Sequence, residues 1–228
     1  MLHLSQKFSP SPHWFITIGI GLYLACSLVV GHAFVADYAR LLHLAEARYG
    51  QSGRQALQDW QRLLDEPAIL TTEQKLFKVN DFINHRVIAV DDLQFWGQKD
   101  YWATPLESIG RGGGDCEDSA FAKYISLLQL GVAEQKMRLI YVRAQFNGAA
   151  RAHMVLGYYS SPEQEPLILD SLYNEILPAS ARSDLLPIYS FNASGLWIGG
   201  NSVAAASPSA HLSNWRSVLE RMQTEGWR

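Results

Sequence analysis

A change of period near residue 131 constrains this chain more than any other feature. Before it, apolar residues recur at helical spacing; after it, they alternate. Residues 38–48 place Leu41, Leu44, Ala45 and Arg48 on one helical face, and Gly50 follows where a helix stops. Residues 55–64 repeat the pattern with Leu57, Trp60 and Leu64. Thr71, Thr72, Glu73 and Gln74 have capping-box spacing, so a third helix starts there and runs through Leu76, Val79, Asn80 and Ile83. A further helix begins at Cys116, carries Ala120, Tyr124, Leu127 and Leu128, and ends by Gly131. Beyond it, residues 138–144, 152–160 and 166–172 read as strands, and short connections at Asn147-Gly148 and Ser161-Pro162 make them an antiparallel meander. Residues 189–192 and 196–198 add two strands, Gly199, Gly200 and Asn201 a turn, and a last helix carries Trp215, Leu219 and Met222. The pattern predicts an α+β fold in which N-terminal helices precede an antiparallel sheet.

Residues 90–114 follow neither period. They are rich in aromatic, acidic and glycine residues and read as a long ordered loop of the kind that often carries function.

At 228 residues, with 48% apolar and 18% charged content, the chain suits one globular domain with a substantial core. A formal net charge of -3 supplies no basic field, which excludes nucleic acid as a partner. Residues 14–36 form an uncharged apolar stretch behind a short segment carrying Lys7. It exceeds the roughly 7–15 residues of a signal-peptide core and reaches the roughly 18–20 that span a bilayer. Residues 1–36 therefore read as an export signal or an N-terminal membrane anchor, and residues 37–228 as the folded domain. Gly31 and Ala33 offer the small residues a signal peptidase requires, whereas Tyr23 spoils the lipoprotein pattern before Cys26.

Cysteine occurs at Cys26, inside the apolar run, and at Cys116, so no disulfide is expected in the folded domain. A lone thiol in an exported protein calls for burial or a use. Cys116 follows Gly112, Gly113 and Gly114 at a helix start, where free N–H groups and the helix dipole favour a thiolate and can hold an oxyanion. The meander brings His153 and Asp170 onto adjacent strands. Cysteine needs an imidazole to take its proton and return it to the leaving amine, and the carboxylate fixes the tautomer. The order Cys116, His153, Asp170 meets those three needs. Asp115, Glu117 and Asp118 crowd a group that must become negative, which raises a cysteine pKa. They read either as caps of the helix N-terminus or as oxygen ligands for a hard cation such as calcium, which offsets their charge.

The run GDCEDSAFAKY, with HMVLGYY and LILDSL downstream and WATPLES upstream, resembles the bacterial transglutaminase-like cysteine proteases of the LapG type. The resemblance implies a papain/transglutaminase-like core, with Cys116 as nucleophile, His153 as general base and acid, and Asp170 as its orienter. It also implies calcium dependence through the acidic residues beside the cysteine, with Asp115 and Glu117 ahead of Asp118. Members of this family are periplasmic endopeptidases that clip the N-terminal region of a large surface adhesin near paired alanines and release a biofilm. An inner-membrane cyclic di-GMP receptor holds them inactive. A groove for such a substrate makes Trp96, Tyr101 and Trp102 candidates for its wall, although core packing explains them equally well. Two other classes share the same residues: a transglutaminase-type acyl transferase, and a non-catalytic metal- or protein-binding module.

Overall fold

Helical and strand residues segregate along the chain as their periodicities predict. The computed structural model describes residues 35–65, 69–198, 207–208 and 212–228, so the export or anchor segment up to residue 34 and the turn expected at Gly199, Gly200 and Asn201 lie outside it. Among the described residues no helix is long and apolar enough to cross a membrane. Helix α1 (Tyr38–Leu64) is two helical segments joined by a kink at Gly50, whose φ of 70° is left-handed. The break predicted at Gly50 is thus a bend. Helix α2 (Thr72–Arg86) starts at the capping box of Thr71 and Gln74.

The segment expected to be a loop is more regular than that. Asp91 caps a short helix, α3 (Asp92–Phe95), and Thr104 with Glu107 forms a second capping box that starts α4 (Pro105–Arg111) with proline in its first turn. The cap has the same physical origin as the one at Thr71: side-chain oxygens satisfy N–H groups that the first turn leaves free. Two-residue strands β1 (Ile88–Ala89) and β2 (Gly113–Gly114) then pair in parallel. Helix α5 (Cys116–Gln129) follows directly. Its Phe121, Ala122, Tyr124, Ile125 and Leu127 are fully or almost fully buried, and α2, α4 and the sheet pack around it.

Strands β3 (Met137–Phe146) and β4 (Ala149–Tyr158) form a hairpin, closed by Asn147 and Gly148 with φ of 51° and 79°. Paired left-handed residues match the twist of the flanking strands. The hairpin carries β4 back to Ala149, so His153 sits within the strand, opposite Val142, and not at its start. Strands β5 (Leu167–Leu169), β6 (Leu177–Pro178), β7 (Leu185–Phe191) and β8 (Leu196–Ile198) complete an antiparallel sheet of order β6-β5-β4-β3-β7-β8. The expected meander is its central part. Helix α6 (Ser213–Glu225) contributes Trp215, Val218 and Met222 to the core.

The two ends of the folded unit are tied together. Val35 N donates to Arg228 O at 2.8 Å and Arg228 N to Val35 O at 3.0 Å, while Trp227 packs against Trp60. Trp60 is fully buried and donates its indole N–H to Ser126 Oγ at 2.8 Å, linking α1 to α5.

Side-chain bulk is poorly tolerated at Gly114. A Cβ there would stand 2.5 Å from Asp118 Oδ2 and 2.7 Å from Asp118 Cβ, because Asp118 folds back over the entry to α5. Gly114→Ala is expected to lower unfolding free energy by about 2 kcal/mol, the typical cost of overpacking, as urea titration will show.

Candidate active site

The site is built at the start of α5. Gly112 ends α4 in the left-handed conformation (φ 84°), the next two glycines form β2, and Asp115 caps α5 so that Cys116 is its first residue. Asp115 accepts from Glu117 N at 3.2 Å, and Asp118 reaches back to Asp115 N at 3.3 Å. The capping role read from sequence is therefore present in both aspartates.

Cys116 is half-buried, and its thiol donates to Glu117 Oε2 at 3.0 Å. Burial pushes the thiol far above its ordinary value, and the charges of Glu117 and Asp115 push it further, while the Met154 N–H works the other way. Burial first, and then the acidic neighbours, oppose the thiolate that the helix terminus favours.

His153 and Asp170 meet as the strand order predicts. His153 Nε2 lies 2.8 Å from Asp170 Oδ1, and both residues are buried. Asp170 Oδ1 also accepts from Leu172 N at 2.9 Å, Oδ2 accepts from Arg182 at 2.8 Å, and the Asp170 carbonyl accepts from Asn84 at 2.9 Å. Burial by itself raises this carboxyl, but the bonds from His153, Leu172 and Arg182 carry it down to about 2. Arg182 in turn holds Asp184 through two bonds, at 2.9 and 2.8 Å. Sequence pattern gave no sign of Arg182, which lies on no periodic element.

Cys116 and His153 open onto one cleft of about 610 Å³, lined also by Trp102, Asp115, Glu117 and Tyr189. Of the three aromatic residues considered for a groove wall, Trp102 lines it. Trp96 instead packs against Phe95 and Arg111, and the Tyr101 hydroxyl donates to Glu107 at 2.9 Å. With Nε2 engaged by Asp170, Nδ1 is the ring nitrogen left to exchange a proton with the thiol. The arrangement suits nucleophilic attack by sulfur on a carbonyl.

The acidic residues divide into two overlapping groups. Carboxylate oxygens of Asp92, Asp115 and Asp118 lie within 4.8 Å of one another, and Asp115, Cys116 and Glu117 form the second group. Asp92, 23 residues before Asp115 in the sequence (115 − 92), was missed; the acidic character of its segment was the available signal. It is almost fully buried, its Oδ2 accepts from Tyr101 N at 2.6 Å, and its Oδ1 has no hydrogen-bond partner among the described residues. Burial raises Asp92 to about 6, and Glu117, Asp100 and Asp91 contribute. Burial also pushes Asp115 and Asp118 well upward, with Glu117 adding to both. Three carboxylates sharing so small a volume, one with a free buried oxygen, fit a hard cation. Glu117 lies on the thiol side of this set.

A thiol at a helix start, sharing a cleft with an imidazole held by a buried carboxylate, defines a thiol hydrolase of papain/transglutaminase-like architecture. Residues 57–197 match the family model described as bacterial transglutaminase-like cysteine proteinase BTLCP. Among solved structures, Legionella pneumophila LapG in an EGTA-treated form is 39% identical with a TM-score of 0.73, covering 83% of this chain and 100% of that one. A further structure of Legionella pneumophila LapG gives 39% and 0.71, covering 83% and 99%. A calcium-bound form gives 40% and 0.68, covering 81% and 98%. Comparison with curated proteins returned no match. The chain belongs to the bacterial transglutaminase-like cysteine proteinases and is a cysteine peptidase of that fold.

The depressed Asp170 makes a prediction in acid. Its folded-state value lies below the unfolded one, so its contribution is present above about pH 4 and is lost as pH falls through about 2. Thermal melts between those limits are expected to show a loss of about 2 kcal/mol that is absent in Asp170→Asn.

Proposed function

We propose that this protein is a calcium-dependent periplasmic endopeptidase that cleaves the N-terminal region of a large repeat-containing surface adhesin. The observation that carries the catalytic reading is the Cys116–His153 cleft with Asp170 sealed behind the imidazole. Cys116 loses its proton to His153 Nδ1, and sulfur attacks the scissile carbonyl carbon. Backbone N–H groups at the α5 terminus receive the oxyanion. As the C–N bond breaks, His153 returns the proton to the leaving amine; water then hydrolyses the thioester, giving one proton to His153, which restores it to sulfur. Asp170 stays ionised throughout and holds Nε2.

Asp92, Asp115 and Asp118 would hold the calcium ion, with Glu117 beside them, and its charge would offset the carboxylates that oppose a thiolate. The likeness to a protein whose calcium-bound form is known supports this choice of cation. The adhesin substrate, control by an inner-membrane cyclic di-GMP receptor and a role in biofilm release rest on the family resemblance of GDCEDSAFAKY and its companion segments. Export to the periplasm, with or without retention of a membrane anchor, rests on the apolar run at residues 14–36.

The test is incubation of the soluble domain with an adhesin fragment, with new termini identified by mass spectrometry. Cys116→Ala is expected to fold and cleave nothing, whereas retained cleavage would falsify the nucleophile assignment. Chelation is expected to abolish cleavage and added calcium to restore it; full activity in excess chelator counts against the cation. Asp92→Asn is expected to weaken calcium binding at least tenfold by calorimetry, since it removes one of the anionic ligands.

A further inference from the structure

Trp102 lines the cleft, and its main chain is held on both sides by carboxylates of the acidic group. The N–H before it, at Tyr101, donates to Asp92 Oδ2, and the N–H after it, at Ala103, donates to Asp118 Oδ1, each at 2.6 Å. Bonds from an N–H to an ionised carboxylate belong to the short, strong class. The Trp102 carbonyl accepts from Arg221 of α6, and the indole N–H donates to Asp100 Oδ1 at 3.3 Å. Asp100 is left-handed (φ 53°), and its Oδ2 accepts from Asn214 of α6 at 2.8 Å. The Trp102 ring stacks on Phe191 of β7, with centroids 6.0 Å apart.

Asp92 and Asp118 thus have two duties each. One is to satisfy an N–H beside Trp102; the other is to share with Asp115 a space in which their oxygens lie within 4.8 Å of one another. Like charges this close repel strongly where water is scarce. Both aspartates are buried, so neither can turn towards solvent without releasing its N–H. The geometry described, with both N–H bonds made at once, is the one that a cation on the three carboxylates sustains. Loss of the cation drives the carboxylates apart, and Trp102, fixed midway between the two bonds, moves with them.

We propose that Trp102 is a positioning residue that couples the calcium site to the cleft: with the ion bound, Asp92 and Asp118 lock the N–H groups of Tyr101 and Ala103 and make the indole a fixed wall, and without it that wall loosens. The proposal rests on the reading in which Asp92, Asp115 and Asp118 hold calcium, and it extends the role of the ion from the thiol to the wall that faces a substrate.

Fluorine NMR of the full chain, grown with fluorinated tryptophan, reads the indole without any substrate, while calorimetry reads calcium binding to the same sample. The Trp102 signal is assigned by its loss in Trp102→Phe or, should that variant not fold, in Trp102→Tyr. As calcium chloride is added, this signal is expected to change position and sharpen in proportion to the calcium bound. The signal of Trp60, buried between α1 and α5 and assigned by Trp60→Phe, is expected to stay put. A second label needs no variant: Trp-Ala occurs once in the sequence, so carbonyl-labelled tryptophan with nitrogen-labelled alanine isolates the Ala103 amide, which is expected to move in step. In Asp92→Asn, which keeps an oxygen for the Tyr101 N–H but loses a charge, both changes are expected to need at least about tenfold more calcium. Calcium binding that leaves the Trp102 signal unmoved overturns the proposal while the calcium site stands. A Trp102 response indifferent to Asp92→Asn overturns it too, and absence of calcium binding removes the calcium reading itself and this proposal with it.

Discussion

A carboxylate sealed from water has to be solvated by the protein, and Asp170 draws its partners from parts of the chain far apart in sequence. His153 comes from β4, Leu172 from the turn after β5 and Arg182 from the segment after β6, while Asn84 of α2 bonds the backbone carbonyl of the same residue. Removing one partner of a buried charge leaves the rest of its desolvation uncompensated, at a cost of about 3–5 kcal/mol. The helical layer and the sheet are therefore held in register at the place where the imidazole must be aimed. Its orientation is a property of the whole fold.

The two ends of the site are electrostatic opposites. At Asp170, donors outweigh burial and the carboxyl is held down at about 2; at Asp92, burial and neighbouring acids outweigh a single N–H and raise it to about 6. One end is complete within the chain, and the other carries more negative charge than its donors can satisfy. Burial and clustered acids of this kind together oppose ionisation of the Cys116 thiol.

Elements with a local physical signature were legible in the sequence. Thr71 and Gln74 start α2 where the capping pattern places them, Gly50 bends α1, and the helix at Cys116 and the hairpin at Asn147-Gly148 stand where spacing and turn chemistry put them. Thr104 and Glu107 carry the same capping signature, yet aromatic and glycine residues around them masked it, and α4 was read as loop. The order of Cys116, His153 and Asp170 showed through because the meander makes strand adjacency predictable. Arg182 and Asp92 did not, since each is brought to the site by a contact closed by the tertiary fold, and no periodicity encodes whether a guanidinium or a further carboxylate is sealed inside.

The paired backbone bonds between Val35 and Arg228 bear on how the chain can be handled. These residues are neighbours in space as close as strand partners, so the folded unit is nearly a closed loop. A short link between them would permit new termini to be opened at an exposed turn such as Asn147-Gly148, a permutation that leaves the cleft and its buried charges in place. Conversely, anything fused after Arg228 emerges beside Val35.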